Sequence, residues 1–265
     1  MVKEFATNTN LLVFNKEHID RDMDALIPVY SAHGIRNLDL NFCEMMRPES
    51  RMNDGRAKSY IQRLKTLKED LSLNYIQAHA PYPIRGTSAS LWDEKIIRAL
   101  NFASELGCPH IVVHPIGKDI DENIKYYERF ARESDITIAI ENMEGEEEIT
   151  SADEINEIIK SNPLRLKALL DTGHAHIRGL DIKKEIIGYG ENLVGLHVHD
   201  NDGEKDQHLF PFMGTIDWNA VLEGLEEINY KGYFTYETMF YSREKSIKDE
   251  EEVIDKALSS FHRLF

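Results

Sequence analysis

Six short apolar runs follow one another along the chain, and each ends on a residue of metal-ligand type: His79 after LNYIQA, His114 after PHIVV, Glu141 after ITIAI, Asp171 after LKALL, His197 after LVGL and Glu237 after YFTY. A β-strand whose apolar stretch stops on such a side chain carries it at its C-terminal edge, and parallel strands bring those edges together. The donors are carboxylates and imidazoles without a thiolate. That chemistry suits a divalent ion such as Mn, Zn, Co, Fe or Mg rather than a Cys-rich structural site.

Between the runs lie longer amphipathic segments. IRNLDLNF (35–42) reads as a strand and precedes a helix over 54–71, with Ile61, Leu64, Leu67 and Leu71 at helical spacing. The strand at 73–80 precedes a helix over 90–107, with Leu91, Ile97, Leu100 and Leu106 on its inner side and Gly107 as its stop. Strands at 110–114, 136–142, 164–171, 192–200 and 233–238 continue the series, with helices near 119–133, 181–187, 217–228 and 247–264. Ser151 and Glu154 form a capping box that opens a further helix. An N-terminal strand near 4–13 and a helix at 20–33 bring the total to eight βα units. Each parallel strand needs a crossover helix, and eight units close into a barrel, so the expected fold is α/β, a single-domain (β/α)8 TIM barrel over 1–265. Its catalytic groups belong at the C-terminal strand ends, where the six residues were found without assuming the fold. No GxGxxG or GxxxxGK[ST] follows a strand, which argues against an open nucleotide-binding sheet.

Charge narrows the partners. A formal net charge of −16, with Lys and Arg scattered along the helices, repels a phosphate backbone, so no nucleic-acid partner is expected. No apolar run approaches a membrane span and the N-terminus has no signal-like pattern, so the expectation is a cytoplasmic protein with no membrane partner. A homo-oligomer is compatible with all of this. Cys43 and Cys108 lie in apolar segments outside any CxxC pattern and read as reduced thiols.

Taken singly, a strand-end histidine is most often a bonded core residue, and a strand-end Asp or Glu a helix cap. Six in succession read differently, because several unpaired carboxylates in one crevice require a cation or a shared proton. The loops add Asp171-x-x-His174 and Asp206-x-His208, which makes His174, Asp206 and His208 further candidates. His176 and His199, two residues from stronger candidates, read as supporting groups. Glu144 to Glu148 read as a solvated acidic stretch from which Glu147 reaches the mouth of the site.

The segments HAPY (79–82), VVHPIG (112–117), IENM (140–143), LLDTGHA (169–175), LHVHDND (196–202), DQHLFPFMGTIDW (206–218) and YETMF (236–240) resemble the xylose-isomerase-like barrel superfamily, in its sugar phosphate isomerase/epimerase branch. The resemblance implies a single divalent metal held by Glu141, Asp171, His197 and Glu237, with Glu141 and Glu237 as acid and base. It implies a small sugar or sugar phosphate substrate, isomerised or epimerised through a metal-stabilised enediolate. The related endonuclease IV enzymes use nine ligands, matched here by His79, His114, Glu141, Asp171, His174, His197, Asp206, His208 and Glu237. A multi-metal phosphodiesterase and a dehydratase or lyase of a polyol-derived ketone are therefore the alternatives. His79, His114 and His208 are expected to face substrate rather than bind more ions, together with Tyr82, His199 and Glu147. Two departures matter. Gly203 stands six positions after His197, where ketose epimerases of the superfamily carry arginine. Pro83 beside Tyr82 and the acidic balance weigh against DNA.

Overall fold

The computed structural model describes residues 4–13, 21–82, 89–239 and 249–265; Pro83 and Phe240 of the motifs above lie outside them. The strands are β1 (Phe5–Asn8), β2 (Asn37–Asn41), β3 (Asn74–His79), β4 (His110–Val113), β5 (Thr137–Glu141), β6 (Leu166–Asp171), β7 (Leu193–His197) and β8 (Phe234–Tyr236). They pair in parallel in the order β7-β6-β5-β4-β3-β2-β1-β8. Just beyond β7, Val198 N donates to Thr235 O at 2.8 Å and Glu237 N to Val198 O at 3.1 Å, which joins β7 to β8 and closes the barrel.

Outside the strands lie α1 (Met23–Ala32), α2 (Ala57–Asp70), α3 (Ala89–Glu105), α4 (Ile120–Glu133), α5 (Ala152–Ile159), α6 (Thr172–Ile177), α7 (Ile182–Tyr189), α8 (Trp218–Glu227) and α9 (Glu250–Leu264). On α2 the buried stripe is Tyr60, Ile61, Leu64 and Leu67; Ile61, Leu64 and Leu67 lie where their spacing predicts, whereas Leu71 caps the helix end and is half-buried. The expected inner side of α3 is partly wrong. Leu91 and Ile97 are exposed, while Trp92, Ile96, Ala99, Leu100 and Ala103 pack inward. Small alanines at the contact set that face, and their size let the helix seat on the strands, a choice that large residues alone did not signal. Ser151 and Glu154 form the reciprocal capping box at α5, and Gly107 takes the positive φ of 69° that ends α3. The six-residue α6 was not expected; it starts directly at the end of β6, where the Asp171 carboxylate caps it by accepting from His174 N at 2.8 Å.

Side chains alternate along each strand, so one set enters the barrel and the other meets the helices. The helix-facing set joins one large apolar core, whereas Val112, Ala139 and Leu169 form a small separate cluster packed with Val194. Two residues along from Ala139 and from Leu169 stand Glu141 and Asp171, on the same side of the sheet and one layer nearer the C-terminal mouth. Among the described residues no helix is long and apolar enough to cross a membrane.

Candidate metal centre

Register brings the strand ends level, pairing Asn41 with His79, Glu141 with Leu169 and Asp171 with His197. One donor atom from each of Glu141, Asp171, His197 and Glu237 then lies within 4.8 Å of the others. All four residues are buried, with exposures of 1%, 0%, 0% and 6%, so water does little to screen three carboxylates from one another. At the centre His197 Nδ1 lies 2.8 Å from Glu141 Oε1 and 3.4 Å from Glu237 Oε2. The donor set fits a divalent cation, because the three carboxylates carry a charge that one imidazole cannot balance and the N and O ligands match such an ion.

Glu141 faces two ways. Its Oε2 lies 3.2 Å from His79 Nε2 and 3.3 Å from His114 Nε2. His79 is fixed by its Nδ1, which donates to Ala80 O at 2.7 Å and lies 3.3 Å from Cys43 Sγ. Tyr82, exposed at the rim, stacks on His114 with ring centroids 5.3 Å apart. On the other side, His174 Nδ1 donates to Asn142 O at 2.9 Å, and its Nε2 lies 3.3 Å from Glu144 Oε2 and 4.0 Å from Asp206 Oδ2. His208, at a positive φ of 47°, donates from Nδ1 to Glu237 O at 2.6 Å and meets Asp206 Oδ2 through Nε2 at 2.8 Å.

The charges follow from these contacts. Burial pushes the Glu141 carboxyl up, but His197 and the hydrogen bonds from His114, His197 and His79 outweigh it and hold it well below the ordinary range. Burial likewise disfavours a charged His197, yet Glu237, Glu141 and Asp39 raise its pKa well above that of a free imidazole. The same contest, won by Asp171, Glu141, Glu144 and Asp206, takes His174 up to about 10. Asp206 and Glu237 take His208 up to about 9. Without a cation, protons on these imidazoles supply the compensating charge.

A cavity of about 390 Å³ opens onto the group and is lined by His79, Tyr82, His114, Glu141, Glu144, His174, Asp206, His208 and Glu237, among others. Two expected substrate contacts are not on its wall. His199 is fully buried behind Asp171, with its Nε2 2.9 Å from Asp171 Oδ1 and its ring stacked 4.0 Å from His208. Glu147 is exposed, and Glu144 takes the place at the mouth, because the turn at Gly145 aims the following acids outward and Glu148 folds back to accept from Gly145 N at 3.0 Å. His176 bonds Thr215 Oγ1 at 2.8 Å and faces away. Sequence reasoning also passed over Asp39, Gln77, Cys43 and Asn142. Asp39 had a signal, since a carboxylate between two leucines in LDL is a costly residue to bury in a strand.

A family model described as "Xylose isomerase-like TIM barrel" matches residues 33–263. The chain belongs to that family. An uncharacterised protein of Methanocaldococcus jannaschii, MJ1311, is 28% identical over 198 residues, 66% of each chain. The matches to curated relatives span 22%, 66% and 36% of those proteins' lengths, so the chain covers less than two thirds of each. Among solved structures, a D-psicose 3-epimerase with D-tagatose from Clostridium cellulolyticum H10 has a TM-score of 0.76 at 16% identity, covering 98% of both chains. The IolI protein with a zinc atom has a TM-score of 0.75 at 17% identity, covering 98% of this chain and 97% of that one. At such identities the likeness within the xylose-isomerase-like family is one of fold.

Proposed function

We propose that the protein is a divalent-metal-dependent isomerase or epimerase of a sugar or sugar phosphate. The observation that carries this reading is the buried group of three carboxylates and one imidazole, Glu141, Asp171, His197 and Glu237, opening onto a cavity within the roughly 300–1,000 Å³ range of small-molecule sites. The epimerase and zinc-bearing neighbours support it at the level of fold. A cation held by these four would polarise the carbonyl of an open-chain sugar and stabilise negative charge on its oxygens.

The protein's own groups then have separate tasks. A proton leaves the carbon beside the carbonyl for one carboxylate; the C–H electrons become a C=C bond as the C=O π pair moves onto oxygen, giving an enediolate. Proton return by the same carboxylate restores the starting configuration, whereas return from the opposite face inverts it. Glu141 ends β5 and Glu237 follows β8, so the two approach the cavity from different arcs of the barrel, as inversion requires. His79 and His114 turn their Nε2 atoms to Glu141 Oε2 and orient that carboxylate, while Tyr82 offers a hydrogen bond to a hydroxyl and His208, with both ring nitrogens engaged by Glu237 O and Asp206, braces the wall. Gly203 leaves open the position occupied by arginine in ketose epimerases, which moves the preferred substrate away from a free ketose accepted at C3.

The outer group Glu144, His174 and Asp206 brings three further donor atoms within 4.8 Å of one another and favours a second reading, multi-metal phosphodiester cleavage. Metal content separates the two, because one ion per chain supports the isomerase and two or three the phosphodiesterase. The direct test offers aldoses, ketoses and their phosphates with Mn, Co or Zn in heavy water. Deuterium entering the carbon beside the carbonyl supports the proposal. No exchange across the panel, with two or more ions bound and an abasic duplex cut, would reject it.

A further inference from the structure

Below the mouth of the barrel lies a charged residue that the reaction above leaves unused. Asp39, on β2, is fully buried. Three nitrogens converge on its Oδ2: Asn8 Nδ2 at 3.0 Å, Gln77 Nε2 at 3.1 Å and His197 Nε2 at 3.2 Å, while Oδ1 is buried without a hydrogen-bond partner. His197 Nε2 faces an oxygen that can only accept and also lies 3.2 Å from Gln77 Nε2, whose amide hydrogens are shared with Asp39; a proton on Nε2 serves the carboxylate. Gln77 obeys the same constraint. Its amide nitrogen faces Asp39, which leaves Oε1 to accept from His110 Nε2 at 3.1 Å. Burial pushes His110 down to about 4, so it sits there as a neutral donor. Room for this chain is made at Gly195, where a Cβ would come within 2.9 Å of Gln77 Oε1 and 3.0 Å of His110 Nε2. Asp39 Oδ2 is thus the common acceptor for side chains from three other strands.

We infer that Asp39 is a positioning residue for the metal centre: it holds His197 by Nε2–H and so presents Nδ1 as the nitrogen offered to the ion. Nδ1 is the ring atom nearest the other donors, 2.8 Å from Glu141 Oε1 and 3.4 Å from Glu237 Oε2. This inference rests on the metal reading of the site. Without Asp39 nothing from β2 opposes the tautomer that protonates Nδ1, which must lose that proton before it can coordinate.

The test uses the full chain, stripped with a chelator and titrated with Zn²⁺ against a competing indicator. Asp39→Leu should weaken binding about 10- to 100-fold, the range for losing a carboxylate behind a ligand histidine. Asp39→Asn keeps an acceptor where Oδ2 stands and should lose less than about tenfold. Circular dichroism establishes that each variant is folded. In ¹⁵N-histidine spectra of the zinc-loaded, unaltered protein, the His197 signal, assigned by its loss in His197→Gln, should show metal on Nδ1 and a slowly exchanging Nε2–H. Equal affinity in folded Asp39→Leu, or zinc on Nε2 of His197, overturns the role of Asp39 alone. If Asp39→Leu does not fold, the spectrum and the Asn variant decide. Failure of the unaltered protein to bind zinc overturns the metal reading as well.

Discussion

Replacing Gly173 by alanine probes how tightly the centre is packed. Gly173 lies on α6 between Asp171 and His174. A Cβ there would stand 2.6 Å from His199 Nε2 and nearer still to Nδ1 and Cε1, against the 3.4–4 Å of ordinary contact, so the ring must retreat by about 1 Å or more. It has nowhere to go. His199 is fully buried, stacked 4.0 Å from His208 and bonded to Asp171 Oδ1 at 2.9 Å. Overpacking costs about 1–3 kcal/mol, and losing a hydrogen bond to a charged group about 1.5–3 kcal/mol. Alanine's better helix propensity returns at most about 1 kcal/mol. The net loss of about 2–5 kcal/mol corresponds to a Tm lower by about 4–20 °C at 2–4 °C per kcal/mol for a large domain. Calorimetry on metal-free and zinc-loaded protein measures it, and metal affinity should fall as well because Asp171 loses its brace. A Gly173→Ala protein that melts within about 1 °C of the original, with unchanged affinity, would refute the close approach of His199.

Glu237→Gln should keep the fold while lowering zinc affinity at least about tenfold and abolishing substrate deuterium exchange; full activity with normal metal content would exclude Glu237 from both roles. Asp200 is buried and accepts from Asn201 N, Phe212 N, Ile216 N and Trp218 Nε1 at 2.9–3.1 Å, so Asp200→Ala should destabilise the protein by about 1–3 kcal/mol for each donor left buried and unpaired. Hydrogen exchange should then accelerate across 200–218, the loop bearing Asp206 and His208, and unchanged protection would count against it as organiser of that loop. The imidazoles set a pH signature. His174 and His208, raised to about 10 and about 9, stabilise the metal-free protein fully below about 6.5 and lose that effect as pH climbs through those values. Asp206, held low against its burial by His208, His199 and His174, acts in the opposite direction, losing its contribution as pH falls below about 4. Metal-free stability measured by urea titration should therefore peak near pH 4–6.5, whereas zinc, competing with the imidazole protons, should bind more tightly as pH rises. A flat affinity between pH 6 and 8 would remove these histidines from the site's charge balance.

Much of this was legible in the chain because strand period and helix period leave separate marks. The apolar runs ending on His79, His114, Glu141, Asp171, His197 and Glu237, with amphipathic stretches between them, determined both a parallel barrel and the edge on which its polar groups meet. Ser151 with Glu154, and Gly107, marked helix ends for local reasons that no tertiary contact needed to supply. What the spacing did not carry was direction around a helix or turn, and distance across the barrel. The inner side of α3 was decided by which residues fitted the strands, with Ala99 and Ala103 inside and Leu91 and Ile97 left in solvent. One turn at Gly145 decided that Glu144 rather than Glu147 reaches the cavity. Asp39 and His197 are separated by 158 positions, and only closure of the barrel brings a carboxylate from β2 within 3.2 Å of an imidazole on β7. Local sequence determines what each strand end can offer a ligand, because that depends on residue type and on alternation along a single strand. Which atom is offered depends on neighbours from distant strands, and these meet only in the folded barrel.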